Sequence, residues 1–210
     1  MGVFMKARNL LLVASLTLST LIAVATPSSA LADDIWLGVP AYGGTGCPNG
    51  TASVSLSPDG KDLSILFDSY VAEAGAATQR ALDRKTCNVA IPVHVPQGMS
   101  VSVFSIDYRG FNSLPKGAFS TFGVEYFFAG MQGPRYQKTF VGPQNQDYTL
   151  SNTLTAQSIV WSKCGTDVIL RTNTSMMTRT NNKMEQAMST VDSADINAGL
   201  IYHLEWKPCY

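Results

Sequence analysis

Charge is scarce in this chain: Asp, Glu, Lys and Arg make up only 14% of its 210 residues. Thirteen Lys and Arg and fifteen Asp and Glu follow residue 32, a net charge of −2. There is no basic excess to neutralise phosphates, which argues against a nucleic-acid partner. No run of charge suits an anionic membrane surface either. Histidine is scarcer still, with His94 and His203 alone. No two cysteines are spaced C-x-x-C, so a zinc site is not indicated. Beyond residue 32 no stretch is apolar enough to span a bilayer. Catalytic signatures are missing as well: there is no G-x-S-x-G elbow, no H-E-x-x-H helix and no phosphate-binding glycine loop. Internal repeats and a linker that would split the chain are also missing. No cofactor and no metal are expected.

The N-terminus carries the clearest signal. Lys6 and Arg8 precede an apolar stretch at 10–25, and Pro27 then leads into Ala30-Leu31-Ala32. A positive start, a short apolar run and small residues at the exit describe a secretory signal peptide cleaved after Ala32. The expected organisation is a leader at 1–32 and one β-sandwich domain at 33–210. The expected location is outside the cytoplasm: extracellular, or periplasmic in a Gram-negative bacterium. No membrane association is expected once the leader is removed.

From Asp33 onward the hydrophobic pattern runs mostly at period two, as in half-buried strands. Ala52-Ser53-Val54-Ser55-Leu56-Ser57 alternates strictly. Pro58-Asp59-Gly60-Lys61 follows as a tight turn with Gly60 at positive φ, and 63–67 is the return strand of a β-hairpin. Residues 68–86 read as a long loop with a short helix within 72–85. A strand opens at Cys87, and Pro92 inside it suggests an edge position or a bulge. The strand at 99–109 switches its apolar face near Val103-Phe104, consistent with a bulge or with burial on both sides. Further strands are expected at 122–128, 139–141, 148–150, 159–161, 167–172 and 200–207. Residues 173–197 read as a long polar loop with a helical turn at 184–188. Eight to ten antiparallel strands favour an all-β sandwich, with a closed barrel as the alternative.

Cys47, Cys87, Cys164 and Cys209 are even in number in an exported chain, which suggests two disulfides. Two strands return the chain from Cys47 to the same end at Cys87. Cys164 precedes one strand and Cys209 ends another, so antiparallel pairing of those strands would bring them within reach. The expected bridges are Cys47–Cys87 and Cys164–Cys209.

Candidate chemistry is thin. His203 shares its strand face with Glu205, while a solvated sheet face accounts for both histidines. Asp68, Asp107, Glu125 and Glu205 are the carboxylates a glycoside hydrolase would need in pairs. Asp107 and Arg109, two apart on one strand, suggest an ion pair. Asp192, Asp195 and Asn197 offer oxygen ligands for calcium, without the spacing of an EF-hand. Asn49-Gly50-Thr51 and Asn173-Thr174-Ser175 match the N-glycosylation acceptor. Tyr42, Tyr108, Phe111 and Tyr136 fall near expected loops, where exposed rings could stack on sugars. Tyr126 and Trp206 lie on apolar faces and belong to the core.

Several segments carry a resemblance in this order: Gly44-Thr45-Gly46-Cys47-Pro48, Leu56-Ser57-Pro58-Asp59-Gly60, Phe67-Asp68-Ser69-Tyr70, Cys87-Asn88-Val89 and Val95-Pro96-Gln97-Gly98. Asp107-Tyr108-Arg109-Gly110, Val160-Trp161-Ser162-Lys163-Cys164 and Leu204-Glu205-Trp206-Lys207-Pro208-Cys209 continue it. Together they resemble a family of small exported proteins of fungi and bacteria, catalogued as domain of unknown function 4360. The resemblance implies a secreted single domain with four paired cysteines, and it transfers no catalytic residue.

The leading expectation is therefore a secreted, non-catalytic binding or cell-surface module, with an extracellular polysaccharide as its most specific ligand. One alternative is a secreted hydrolase that works through carboxylates. Another is a secreted inhibitor or effector that binds a protein partner.

Overall fold

The computed structural model describes residues 35–191 and 199–209. The expected leader at 1–32 lies outside these residues, as do Asp192, Asp195 and Asn197. Twelve strands are present among the described residues: β1 (Ala41–Gly43), β2 (Ala52–Leu56), β3 (Asp62–Phe67), β4 (Val71–Ala74), β5 (Leu82–Val93) and β6 (Met99–Leu114), then β7 (Phe119–Phe128), β8 (Arg135–Val141), β9 (Gln144–Thr153), β10 (Val168–Arg179), β11 (Ala187–Thr190) and β12 (Leu200–Pro208). They form two antiparallel sheets. One has five strands in the order β1-β5-β10-β7-β8; the other has seven, β2-β3-β12-β6-β11-β4, with β9 on the far side of β6. Both sheets are open, so the protein is a sandwich and not a closed barrel.

The core lies between the sheets and is rich in tyrosine. Tyr70, Tyr108, Tyr202 and Phe122 are its largest fully buried side chains. A buried hydroxyl needs a partner, and threonines of the opposite sheet supply it for Tyr202 and Tyr70, while the buried hydroxyls of Tyr108 and Tyr126 have none among the described residues. Tyr202 on β12 bonds Thr172 on β10, and the Tyr70 hydroxyl meets Thr174 Oγ1 at 2.9 Å. Burial pushes the phenol pKa values of Tyr70, Tyr108, Tyr126, Tyr148 and Tyr202 upward, so these rings stay neutral.

The 52–67 hairpin forms as expected, with Ala52 opposite Phe67 and Gly60 at φ 68°. The face switch in β6 is a bulge: His203 faces Ser105 and Leu204 faces Val103, which leaves Phe104 unpaired. Pro92 takes a different place from the edge or bulge expected. β5 is paired on both flanks and runs past Pro92 in regular register with Ile169. Its carbonyl accepts from Gly38 N at 2.9 Å. The missing donor therefore faces the N-terminal segment rather than the β10 ladder. At Gly38 a Cβ would approach Pro92 Cβ to 2.8 Å, so glycine is needed for that close crossing.

Three loop expectations are corrected. Residues 71–74 form β4 and 82–86 belong to β5, with no helix between them. Ala72 and Ala74 alternate into the core, and Gly75 and Gln79 at positive φ turn the chain back within a few residues. The helix formers here lack the length to bury a helical face. Residues 173–179 complete β10 instead of a loop, and 187–190 form β11. Their polarity misleads because Thr174 and Thr178 are buried and hydrogen-bonded inside the sandwich. Met184, expected in a helical turn, sits at φ 57° in a bend. Residues 159–161 are not a strand either. The segment follows β6 through single bonds such as Ser162 N to Val101 O at 2.8 Å.

Both disulfides form as expected, with Cα separations of 5.4 Å for Cys47–Cys87 and 5.7 Å for Cys164–Cys209. The geometry behind them differs. β1 pairs with β5, and Gly46 N bonds Thr86 O, which places Cys47 beside Cys87. β10 and β12 lie in different sheets. Cys164 and Cys209 meet because Gly165 N and Cys209 N bond the carbonyls of Met99 and Gly98 respectively.

Candidate functional site

Alternation along the five-stranded sheet sends one residue in two outward, and the register aligns those residues in rows. One row runs Asn88, Asn173, Glu125, Arg135 across β5, β10, β7 and β8. The next runs Thr86, Ser175, Gly123, Gln137. Gly123 has no side chain, so the second row dips in its centre. The result is an open trough of about 430 Å³ lined by these residues.

The trough is lined with hydrogen-bonding groups that the protein does not use. Glu125 Oε1 and Arg135 Nε form an ion pair at 3.1 Å. Among the described residues, the side chains of Asn88, Gln137, Asn173 and Ser175 have no hydrogen-bond partner. Each amide offers both donors and an acceptor. Sequence reading missed this site because its residues come from four strands. The signal available was local: polar residues at every second position in 86–88 and 173–175, the outward half of each strand.

The outer face of the seven-stranded sheet has a second polar cluster. His203 Nδ1 lies 2.7 Å from Asp62 Oδ1 and Nε2 lies 3.1 Å from Asp107 Oδ2. Ser151 Oγ donates to Asp107 Oδ1 at 2.6 Å. Burial works against charge on His203, but the hydrogen bonds and charges of Asp107 and Asp62 outweigh it and raise the imidazole pKa. Burial opposes the charged form of Asp107 too, and bonds from Ser151 and His203 outweigh it, lowering that pKa. The cluster is not a nucleophilic triad. Ser151 gives its proton to a carboxylate, and both ring nitrogens are engaged by carboxylates, so nothing accepts a proton from the hydroxyl. It ties β3, β12, β6 and β9 together. The expected partners of His203 and Asp107 change accordingly: His203 pairs with Asp62 and Asp107 across strands rather than with Glu205, and Asp107 pairs with His203 rather than with Arg109. His94 pairs with Asp167 at 2.8 Å and stacks on Trp36.

The four aromatic candidates are dispersed. Tyr108, expected to be exposed, is fully buried and stacked on Tyr136 at 5.4 Å, because β6 is a central strand with that residue inward. Tyr136, also expected to be exposed, is half-buried with its ring turned inward onto Tyr108, because it lies between the outward residues Arg135 and Gln137 of β8. Tyr42 is half-buried against the core, and its hydroxyl accepts from Gly50 N at 3.0 Å. Phe111 lines a separate recess of about 410 Å³ with Asp68 and Asp147. Of the carboxylate candidates, Asp68, Asp107 and Glu125 thus occupy three different places. Asn49 is exposed, whereas Asn173 sits within the trough. Among the described residues no group of three His, Cys, Asp or Glu could hold a metal ion.

An uncharacterized secreted protein of Arthroderma benhamiae is 37% identical over 169 residues, covering 80% of this chain and 69% of that protein. Among solved structures, TmCBM61 in complex with beta-1,4-galactotriose aligns over 81% of this chain and 88% of that chain. That alignment has 7% identity and a TM-score of 0.27, too loose to bear on architecture or ligand. The fungal relative is secreted, and two disulfides suit an oxidising compartment; this protein is secreted as well. A family model matches residues 33–209, and the chain belongs to that family, described as Domain of unknown function (DUF4360).

Proposed function

We propose that this secreted protein binds carbohydrate, without altering it, in the trough on the outer face of the five-stranded sheet. The observation that carries the reading is the set of unpartnered amides and hydroxyls, Asn88, Asn173, Gln137 and Ser175, arrayed around the dip at Gly123. Sugar hydroxyls both donate and accept, and side-chain amides match them in both senses. A protein partner would call for an apolar, aromatic-rich centre, and no aromatic side chain stands among the outward residues that line the trough; Tyr136 turns inward onto Tyr108. Hydrolysis would call for two carboxylates about the scissile bond. Glu125 is the one carboxylate among the lining residues, and it is held by Arg135.

The test is depletion of the oxidised protein by insoluble and soluble glycans, with released reducing sugar assayed in parallel. Gly123→Phe should abolish depletion and leave the fold intact, because the ring fills the trough outside the core. The added Cβ meets only Ser175 Oγ, at 3.2 Å, and that hydroxyl can rotate away. Asn88→Ala with Asn173→Ala should weaken binding by roughly tenfold or more, the loss of two hydrogen bonds. Retention by Gly123→Phe, or no depletion by any glycan, overturns the site. Sugar release overturns the non-catalytic reading.

A further inference from the structure

Resting on that reading, we propose that the bound polymer is acidic: a polysaccharide bearing regularly placed carboxylates or phosphodiesters, held by arginines that frame the trough. Six arginines follow residue 32. Four of them, Arg84, Arg135, Arg171 and Arg179, occupy outward positions on the five-stranded sheet, and all four are exposed. None of the seven lysines after residue 32 takes an outward position in these four strands: Lys85 and Lys138 lie on the opposite parity of β5 and β8. The only acidic residue at an outward position there is Glu125, paired with Arg135.

The placement follows the trough. Arg171 lies one row beyond Asn173 at one end, and Arg179 lies two rows beyond Ser175 at the other. Eight residues of extended strand separate them, roughly 27 Å at the usual rise per residue. Arg84, opposite Met177, occupies the row between Ser175 and Arg179, and Arg135 closes the side. Amides for hydroxyls therefore lie between guanidinium groups for oxyanions. Guanidinium binds carboxylate and phosphate through two parallel hydrogen bonds, a geometry lysine does not offer.

The other side of the sandwich shows that the polarity is local. Outward positions of the seven-stranded sheet carry Asp62, Glu73, Asp107, Asp147 and Glu205 against Arg109, Lys207 and His203. An acidic polymer is repelled there and attracted only to the trough, so it meets the protein in one orientation.

Affinity electrophoresis decides the matter, using gels that contain a polyuronate, a phosphodiester-linked glycan, a neutral galactan or a neutral glucan. Retardation is expected in at least one acidic gel at low salt. It should be lost at about 1 M NaCl, where the screening length is about 3 Å. Arg171→Gln with Arg179→Gln should weaken binding to that polymer by roughly tenfold or more, given the strength of charge-assisted bonds. Arg109→Gln on the opposite face should leave it unchanged. Which acidic gel retards the protein tells carboxylate from phosphate. Equal or stronger retardation by a neutral glycan, insensitive to salt and to the arginine changes, overturns this inference and leaves the trough reading standing. No retardation by any glycan overturns both.

Discussion

The outer face of the seven-stranded sheet uses its polar side chains to bind strand to strand, while the outer face of the five-stranded sheet leaves most of its own unpaired. On the first, Asp62, His203, Asp107 and Ser151 close a chain of hydrogen bonds across four strands. On the second, Asn88, Asn173, Gln137 and Ser175 stand in register without hydrogen bonds to one another, and Glu125–Arg135 is the single ion pair in the trough. The pleat and the antiparallel ladder are the same on both faces. A closed polar network contributes to stability and has little capacity left for a ligand; an open one contributes little to stability and keeps its capacity. That difference supports the proposal that the five-stranded face is the binding face, with the His203 cluster as a fastening.

The comparison can be broken most forcefully at Asp107. Asp107→Ala leaves Ser151 without its acceptor and His203 with Asp62 alone, and it should cost about 1.5–3 kcal/mol, as for hydrogen bonds to charged groups. Urea denaturation measures this; a cost below about 0.5 kcal/mol would mean that the cluster does not fasten the sheet. A double-mutant cycle on Asp107 and His203 should return a coupling of roughly 1 kcal/mol, against less than about 0.5 kcal/mol for the Glu125–Arg135 pair, whose arginine is exposed. Equal couplings would erase the distinction between the faces.

The next effect is a pH dependence. The His203 pKa is raised above its usual 6.5, so its contribution is complete below 6.5 and is lost as pH rises through the higher folded value. The Asp107 pKa is lowered below 3.8, so its contribution is present above 3.8 and is lost as pH falls through the lower folded value. Stability from the cluster is greatest between those two values. Melting curves of the protein and of His203→Gln should differ most near pH 5 and draw together as pH rises above 6.5 through the raised folded value; a constant difference as pH rises would contradict the linkage. The smallest effect belongs to the trough. Asn88→Ala and Asn173→Ala should each change stability by no more than about 0.5 kcal/mol, the usual range for surface positions free of such features. A larger loss in thermal denaturation would show that these amides hold the sheet after all.

Much of the architecture was legible along the chain. The alternation in 52–67 and 200–207, the turn at Gly60 and the apolar face switch at Phe104 all reappear in the structure. The second half of β10 was not legible, because two of its three inward positions, Thr174 and Thr178, are threonines whose hydroxyls bond Tyr70 and Ser120. A buried, satisfied threonine looks like a solvated one in a hydropathy pattern. The candidate site was legible only in fragments. Tyr136 and Tyr108 stack on each other on the inner side of the sheets, and Asn88, Gln137 and Ser175 carry no local mark that separates them from any wet strand face.

By itself, the sequence determined what depends on neighbours in the chain: the leader pattern, the β period, the tight turns and the number of cysteines to be paired. These follow from local geometry, in which side chains two apart share a face and a glycine permits a turn. Only the tertiary structure decided which strands lie side by side, and the trough, the four arginines around it and the Asp62–His203–Asp107 fastening all depend on that. Residues far apart in sequence become neighbours through sheet order and register, which are set by packing the whole core and not by any one segment.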